Sequence, residues 1–188
     1  MWYPSTSTTD VTDLVTLDEA KAQVRVDTSN TDNDDYLNAL ISGARSFVEK
    51  SCGIMIGSRT VVAKCDTPDD LARLPDAPTT AITSIQYVDV DGNTQTVDTS
   101  VYEARLDGLE GGIVLKYGQV WPTQQVGSRL TVTSVVGYDD LTKDAALSHA
   151  MKLLIGDWFE SRETMEEGRV AMLPYGVDAL LTNYKRNA

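Results

Sequence analysis

The sequence predicts an α+β protein, in which a small helical bundle formed by N- and C-terminal helices carries a mainly antiparallel β insertion in the middle. Three observations indicate this fold class. Apolar residues recur at three- and four-residue spacing near each end of the chain, which is typical of helices with one buried face. Alternating apolar and polar residues fill the middle of the 188-residue chain. Asp91-Gly92 separates two of these stretches and is typical of a tight hairpin turn.

The N-terminal part of the chain predicts an arm followed by a short helix. Residues 1–15 are rich in Ser, Thr and Asp, and we expect a flexible arm that becomes ordered when a partner holds it. Thr16 is followed three residues later by Glu19, which fits a capping box. This pattern predicts a helix that begins after Thr16 and ends near Val24.

A second, longer helix is predicted between residues 31 and 53. Thr31 or Asp32 is expected to cap it, because short polar side chains accept hydrogen bonds from free amides at a helix start. Gly53 is the expected C-terminal stop. The predicted buried face comprises Leu37, Leu40, Ile41, Ala44, Phe47 and Val48.

The middle of the chain predicts a β unit of short strands. The candidate strands cover residues 54–64, 82–90, 94–97, 101–105, 112–117 and 129–136. Trp121-Pro122 lies in a loop before the last strand, either as an aromatic plug over one end of the β unit or as a contact with a neighbouring subunit.

Helical spacing returns near the C-terminus. Thr142 is expected to cap a strong helix that ends near Arg162, and Leu173-Pro174 opens a last short helix. The predicted buried face of the strong helix comprises Leu147, Ala150, Met151, Leu154, Ile155 and Trp158, and that of the last helix Val177, Leu180, Leu181 and Tyr184. Residues 16–53 and 142–188 are therefore predicted to pack together as one helical domain, from which the insertion at 54–141 projects.

Net charge, cysteine spacing and the distribution of apolar residues narrow the range of functions that the protein could have. The formal net charge of −12 argues against binding to the outside of a nucleic-acid duplex, which requires clustered Lys and Arg. Cys52 and Cys65 form no CxxC motif, so neither a zinc site nor a redox motif is predicted, and two reduced, partly buried thiols are expected. The N-terminus does not read as a secretory signal and no apolar run approaches transmembrane length, so we expect a soluble protein made in the cytosol.

Residue patterns typical of catalysis, metal binding or cofactor binding do not emerge. The single histidine, His149, falls beside the apolar face of a helix and is expected at the surface, with no nucleophile presented to it. The aspartates between Asp27 and Asp35 fail the EF-hand spacing, and Asp89 to Asn93 is better explained by a hairpin turn. We therefore predict no catalytic residues, no metal and no cofactor.

The order of motifs resembles the head–tail connector (adaptor) family of tailed bacteriophages, related prophages and gene transfer particles. The stretches that carry the resemblance are Thr16 to Lys21, Val24 to Asp27, Asp32 to Asp35, Tyr87 to Gly92, Trp121-Pro122, Gly137-Tyr138, Trp158 to Glu163 and Leu173 to Tyr184. Each motif is weak alone, but their order and spacing are fairly specific and cover the chain from about 16 to 186.

The resemblance implies a structural virion protein of the neck, assembled in the bacterial cytoplasm. Such subunits are expected to form a ring, twelvefold in the virion, that docks under the portal protein and extends the DNA channel. The ring also offers a surface to a downstream neck or tail protein, while DNA passes without specific binding. The C-terminal helix, here about 174–186, is expected to dock on the portal. The candidate portal-binding residues are Leu180, Leu181, Tyr184, Lys185 and Arg186.

Other functions fit the same sequence. One is a neck or tail-completion protein distal to the connector, which would not bind the portal directly. Another is a small acidic binding module that works as a monomer and never forms a ring. A hydrolase is disfavoured, because His149 has no partner nucleophile in the sequence.

Overall fold

The computed structural model describes residues 1–7, 14–138, 145–161 and 175–186. It confirms the predicted α+β class, with helices from both ends of the chain and a mainly antiparallel sheet from its middle. The chain divides into two compact units. The helical unit comprises Thr12–Ile56 and Asp140–Ala188, and the β unit comprises Met1–Val11 and Gly57–Asp139.

The helical unit contains four α-helices: α1 (Leu17–Gln23), α2 (Asp34–Cys52), α3 (Ala145–Glu160) and α4 (Tyr175–Leu181). Helix α2 packs on α3, and α1 and α4 each pack on α3 as well. The buried face of α2 comprises Leu37, Ile41, Ala44, Val48 and Cys52, and that of α3 comprises Leu147, Ala150, Met151, Leu154 and Ile155. Most residues of the predicted helical stripes therefore form the core of this unit. Leu40, Phe47 and Trp158 are only half-buried, and Trp158 packs edge-on against Phe47.

The start of α2 differs from the prediction. Neither Thr31 nor Asp32 caps the helix, whose N-cap residue is Asn33 and makes no capping hydrogen bond with its side chain. The polar residues before it form local turns instead. The Asp27 carboxylate accepts from the amide of Ser29 (2.8 Å), and the carbonyl oxygen of Thr31 accepts from the amide of Asp34 (3.2 Å). The predicted caps of α3 and α4, Thr142 and Leu173-Pro174, lie outside the described residues.

The β unit contains a five-stranded antiparallel sheet with the strand order β1-β2-β7-β3-β4. Its strands are β1 (Thr6–Ser7), β2 (Arg59–Cys65), β3 (Thr79–Val88), β4 (Thr94–Thr96) and β7 (Leu130–Val136). Strands β5 (Tyr102–Arg105) and β6 (Gly112–Leu115) form a separate hairpin. The core contains Cys65, Leu71, Leu74, Ile85, Val97, Tyr102, Ile113, Leu130 and Val132.

The first residue was predicted wrongly for two strands, β2 and β3. Residues 54–56 belong to the helical unit rather than to β2, because the amide of Ile56 donates to the Glu49 side chain (2.9 Å) and Ile54 and Ile56 are buried there. Strand β3 begins at Thr79 instead of residue 82, since it pairs with β7 along most of its length.

The N-terminal residues and the predicted hairpin turn lie on the β unit. Residues 6–7 pair with β2, and the Trp2 indole nitrogen donates to the carbonyl oxygens of Asp70 (3.0 Å) and Arg73 (2.8 Å). The turn at Asp91-Gly92 joins β3 to β4 as predicted, with Gly92 at φ +85°. The Asp89 carboxylate accepts hydrogen bonds from the amides of Asp91 and Asn93 and so stabilises the turn.

Candidate functional site

The predicted portal-binding segment folds back on its own helical unit. Helix α4 packs on α3 and buries Val177 and Leu181, which are 0% and 1% exposed. A 3₁₀ turn, Thr182–Tyr184, follows directly. A seven-residue helix is not stable in isolation, so the burial of these two apolar side chains holds it in place.

The end of the segment is tied to the end of α2. The backbone amide of Arg186 donates to the carbonyl oxygen of Cys52 over 2.8 Å. Gly53 ends α2 in the left-handed conformation (φ +67°), as predicted, and a Cβ atom there would lie 3.3 Å from Cβ of Arg186. Glycine at position 53 therefore allows α2 to end in the left-handed conformation, and it also lets the C-terminal segment approach α2 closely.

The outer face of the segment carries opposite charges. Nζ of Lys185 donates to the Asp178 carboxylate over 2.6 Å, and this hydrogen bond raises the pKa of Lys185. The Thr182 hydroxyl also donates to the Asp178 carbonyl oxygen (2.8 Å). Because this ion pair is exposed, it orients Lys185 more than it stabilises the fold.

The five candidate residues therefore occupy different positions. Leu181 is buried inside the helical unit, Lys185 is exposed, and Leu180, Tyr184 and Arg186 are half-buried at the boundary. The predicted face grouped Leu180 with Leu181, whereas the helix buries Val177 and Leu181, which are four residues apart. That i, i+4 spacing was the signal in the sequence that separates the inner residues of α4 from its outer ones.

Two ion pairs hold the helices on which the segment rests. Nζ of Lys21 lies 2.6 Å from Oδ1 of Asp34 and also donates to the Thr28 carbonyl oxygen (3.1 Å), which links α1 to the start of α2. Nζ of Lys152 on α3 lies 2.9 Å from Oε1 of Glu19, the acidic member of the predicted capping box. The hydrogen bond from the Thr16 amide, and then the one from Lys152, lower the pKa of Glu19.

Reactive groups are not gathered in the parts of the chain that the structure describes. His149 lies exposed on α3. Cys52 and Cys65 are free and buried, and burial raises the pKa of Cys65 to about 12, so its thiol stays protonated at neutral pH. Within the same residues, no cluster of His, Cys, Asp or Glu is arranged to hold a metal ion.

Two surface features of the β unit were not predicted. Tyr117, Val120 and Val126 stand almost fully exposed in the loop after β6. An open groove of about 470 Å³ is lined by Pro78, Thr79, Thr80, Leu106, Gly108, Leu109 and Tyr138. Trp121, in the same loop as the exposed residues, stacks on Tyr102 with ring centroids 6.5 Å apart and packs against the core, which fits an aromatic plug. Among the described helices, none is long and apolar enough to cross a membrane.

Comparison with known proteins shows which family and which solved structures the chain is similar to. Residues 14–103 match the family of phage gp6-like head–tail connector proteins. A chain in the neck of an empty gene transfer agent particle, computed with C6 symmetry, has a TM-score of 0.79 and 20% identity, covering 99% of this chain and 97% of that one. A chain in the virion of a native gene transfer agent particle has a TM-score of 0.77 and 21% identity, covering 98% and 96%.

A third solved structure agrees with these two. A chain in the neck of a native gene transfer agent particle, computed with C12 symmetry, has a TM-score of 0.69 and 20% identity, covering 99% of this chain and 97% of that chain. At these identities the likeness establishes a shared fold over almost the full length of each chain. No curated protein matches the sequence significantly. The match over residues 14–103 of the 188-residue chain confirms the predicted resemblance to the gp6-like head–tail connector proteins of phages.

Proposed function

We propose that this protein is a structural subunit of a virion neck, where copies form a ring that docks under the portal and joins head to tail. The observation that carries the proposal is the family match at 14–103 together with the fold shared over almost the whole chain with proteins of gene transfer agent necks. Those necks were computed with C6 and C12 symmetry, which supports a twelvefold ring for this chain as well.

The C-terminal segment is the proposed portal-binding surface. Its outer residues, Leu180, Tyr184, Lys185 and Arg186, combine half-buried apolar groups with cationic groups, while Leu181 anchors the segment to its own unit. A partner that offers an apolar cleft beside acidic groups would fit these residues. The opposite end of the ring would then face a downstream neck or tail protein.

The acidic character of the chain supports a channel role. With a formal net charge of −12, a surface lined by these acids would repel a passing DNA duplex rather than bind it. We propose that DNA moves through the ring without specific contacts. Substitutions of channel acids by Lys that leave DNA ejection unchanged would argue against this role.

A structural rather than catalytic role fits the positions of the reactive groups. His149 is exposed on a helix surface and the two thiols are buried. The family that the chain matches is described by its place between head and tail rather than by an activity.

The direct test is to mix the purified protein with its cognate portal and to examine the mixture by mass photometry and negative-stain imaging. We expect portal particles to gain a second tier. The double variant Tyr184→Ala/Lys185→Glu should weaken that binding by about tenfold or more, because it removes an aromatic anchor and reverses a charge. Lys64→Glu, at an exposed position of the β unit, is the control that changes charge equally and should bind as the unmodified chain does.

The result also separates the competing functions. A protein that ignores the portal but binds a tail component would be a distal neck or tail-completion protein. A protein that binds neither and stays monomeric at every concentration would be an acidic binding module. Either result would reject the connector proposal.

A further inference from the structure

We propose that the β unit supplies a head-to-tail contact between neighbouring subunits of the ring, which rests on the proposed connector function. In this contact, exposed apolar loop residues at one end of the β unit occupy the apolar groove at the opposite end of the next copy. The tip cluster is Tyr117, Val120 and Val126. The end groove is lined by Pro78, Thr79, Thr80, Leu106, Gly108, Leu109 and Tyr138.

The tip cluster is exposed to an unusual degree. Tyr117 is 105% exposed, Val126 is 100% exposed and Val120 is 78% exposed relative to the free residue. Single exposed apolar residues are common on protein surfaces, but three of them within the ten residues from Tyr117 to Val126 favour a protein–protein contact at this loop.

Two tight turns fix the tip residues. The amide of Gln119 donates to the Lys116 carbonyl oxygen (3.0 Å), and that of Ser128 donates to the Gln125 carbonyl oxygen (3.0 Å). Each turn has a glycine at its third position, Gly118 (φ +77°) or Gly127 (φ +80°). This is the pattern of a type II turn, which places the second residue, Tyr117 or Val126, at the tip.

The loop that bears these turns is held in place by the rest of the β unit. The amide of Gln125 donates to the carbonyl oxygen of Val88 (2.9 Å) at the end of β3, and the amide of Lys116 donates to the carbonyl oxygen of Val101 (3.0 Å). Trp121, between the two turns, stacks on Tyr102. The tip cluster is therefore preorganised and loses little conformational entropy on binding.

The end groove lies at the other end of the same strands. It is bordered by Thr79 at the start of β3, by Tyr138 just beyond the end of β7 and by the turn of the β5–β6 hairpin. The tip loop is instead tied to Val88, the last residue of β3. Ten residues of β-strand span about 30 Å, so the tips of one chain cannot reach their own groove.

This placement identifies a second copy of the chain as the occupant. Each subunit presents one apolar projection and one apolar recess at opposite ends of a single unit, which is the requirement for a heterologous contact that repeats from subunit to subunit. A partner of different sequence would account for one of these surfaces but leave the other uncovered. The structural neighbours lie in necks computed with C6 and C12 symmetry, and a head-to-tail contact repeated between copies is what closes a cyclic ring.

Disulfide cross-linking in rings assembled on the portal tests the contact. The double variant Val126→Cys/Leu109→Cys, mildly oxidised, should give a ladder of covalent oligomers on non-reducing gels, because every subunit joins two neighbours. The natural cysteines are buried and should not contribute. The matched control is Val126→Cys/Glu103→Cys, which moves the second thiol to an exposed site in the middle of β5 and should give no ladder.

Each outcome decides the inference. A ladder confined to the Val126–Leu109 pair supports it, as does a loss of ring closure by about tenfold or more in Val126→Asp, a fully exposed position where folding is not at risk. Rings that form on the portal without the ladder, or dimers from Val126→Cys alone, would overturn the contact and leave the connector function intact. Absence of any ring on the portal would overturn the connector function and the contact with it.

Discussion

Nζ of Lys21 lies 2.6 Å from Oδ1 of Asp34, and only 3% of the lysine side chain is exposed. The same ammonium donates to the Thr28 carbonyl oxygen, so one buried cation joins α1, the polar loop after it and the start of α2. The aspartates of this loop, which superficially suggest a metal site, are thus partly explained by an internal cation and by local turns.

Replacing Lys21 by Met should destabilise the helical unit by about 3 kcal/mol, because it leaves the Asp34 carboxylate without its partner. The double variant Lys21→Met/Asp34→Asn should be less destabilised than the sum of the two single variants. Urea unfolding followed by circular dichroism measures both effects. Lys50→Met, at an exposed position of α2, is the control and should change stability by less than about 0.5 kcal/mol. Equal unfolding midpoints for Lys21→Met and Lys50→Met would contradict the role of the buried cation.

Gly137 is predicted to be essential for the β unit. It has φ +94°, and a Cβ atom there would overlap the carbonyl oxygen of Gly57. Gly137→Ala should therefore cost about 3 kcal/mol or more, since the clash is with backbone and cannot be relieved by a side-chain rotation. Gly127→Ala is the matched control, because it has φ +80° but nothing within 4 Å, and it should cost about 1 kcal/mol. Equal midpoints of thermal unfolding for the two variants would show that the backbone shifts to relieve the clash and would contradict the prediction.

Lowering the pH should destabilise the helical unit, in part because Glu19 becomes protonated. The folded state lowers the pKa of this carboxyl below the ordinary value of 4.5, first through the Thr16 amide and then through Lys152. A lowered folded pKa gives stability that is fully present above pH 4.5 and is lost as the pH falls through the folded value. Glu19→Gln should therefore flatten the decline of the urea midpoint between about pH 5 and pH 3. A decline as steep as that of the unmodified protein would exclude Glu19 as a contributor.

The two thiols should resist reagents in the folded protein. Burial raises the pKa of Cys65 to about 12 and also raises the pKa of Cys52, so little thiolate forms at pH 8. A thiol-reactive chromogenic disulfide should label neither cysteine in buffer and both in concentrated urea. Rapid labelling of one thiol in buffer would show that its unit opens locally, and the single variants Cys52→Ser and Cys65→Ser identify which one.

Sequence patterns predicted the long helices and most strands because each has a repeating signal. Four of the six residues predicted on the buried face of α2 are buried, namely Leu37, Ile41, Ala44 and Val48. In β7 the apolar positions Leu130, Val132 and Val136 are buried, as their alternation predicted. Boundaries were less predictable where a local pattern competes with tertiary contacts. Residues 54–56 have β-type composition, yet Ile56 is held by Glu49 within the helical unit.

The candidate contact surfaces were only partly predictable for a similar reason. The exposure of Tyr117 and Val126 depends on two turns and on anchoring by Val88, a residue far away in the sequence. The end groove is lined by residues from β3, from the β5–β6 turn and from the stretch after β7. These three stretches are far apart in the sequence, so no local spacing pattern could predict that they lie together. In the C-terminal segment, the family resemblance implied a docking helix, and the predicted buried face contained both Leu180 and Leu181, of which only Leu181 is fully buried.

Gly53 links the stop of α2 to the position of the C-terminal segment. Gly53→Ala should cost about 1–2 kcal/mol through its left-handed conformation and should also push Arg186 away from α2. We therefore expect faster cleavage by trypsin after Lys185 and Arg186, measured by mass spectrometry over time, together with weaker portal binding. Gly92→Ala is the control, because it has φ +85° in an open hairpin turn with nothing within 4 Å. If both variants are cleaved at the rate of the unmodified chain, the hydrogen bond from Arg186 to Cys52 does not hold the segment. The proposed portal-binding residues would then be positioned by α4 alone.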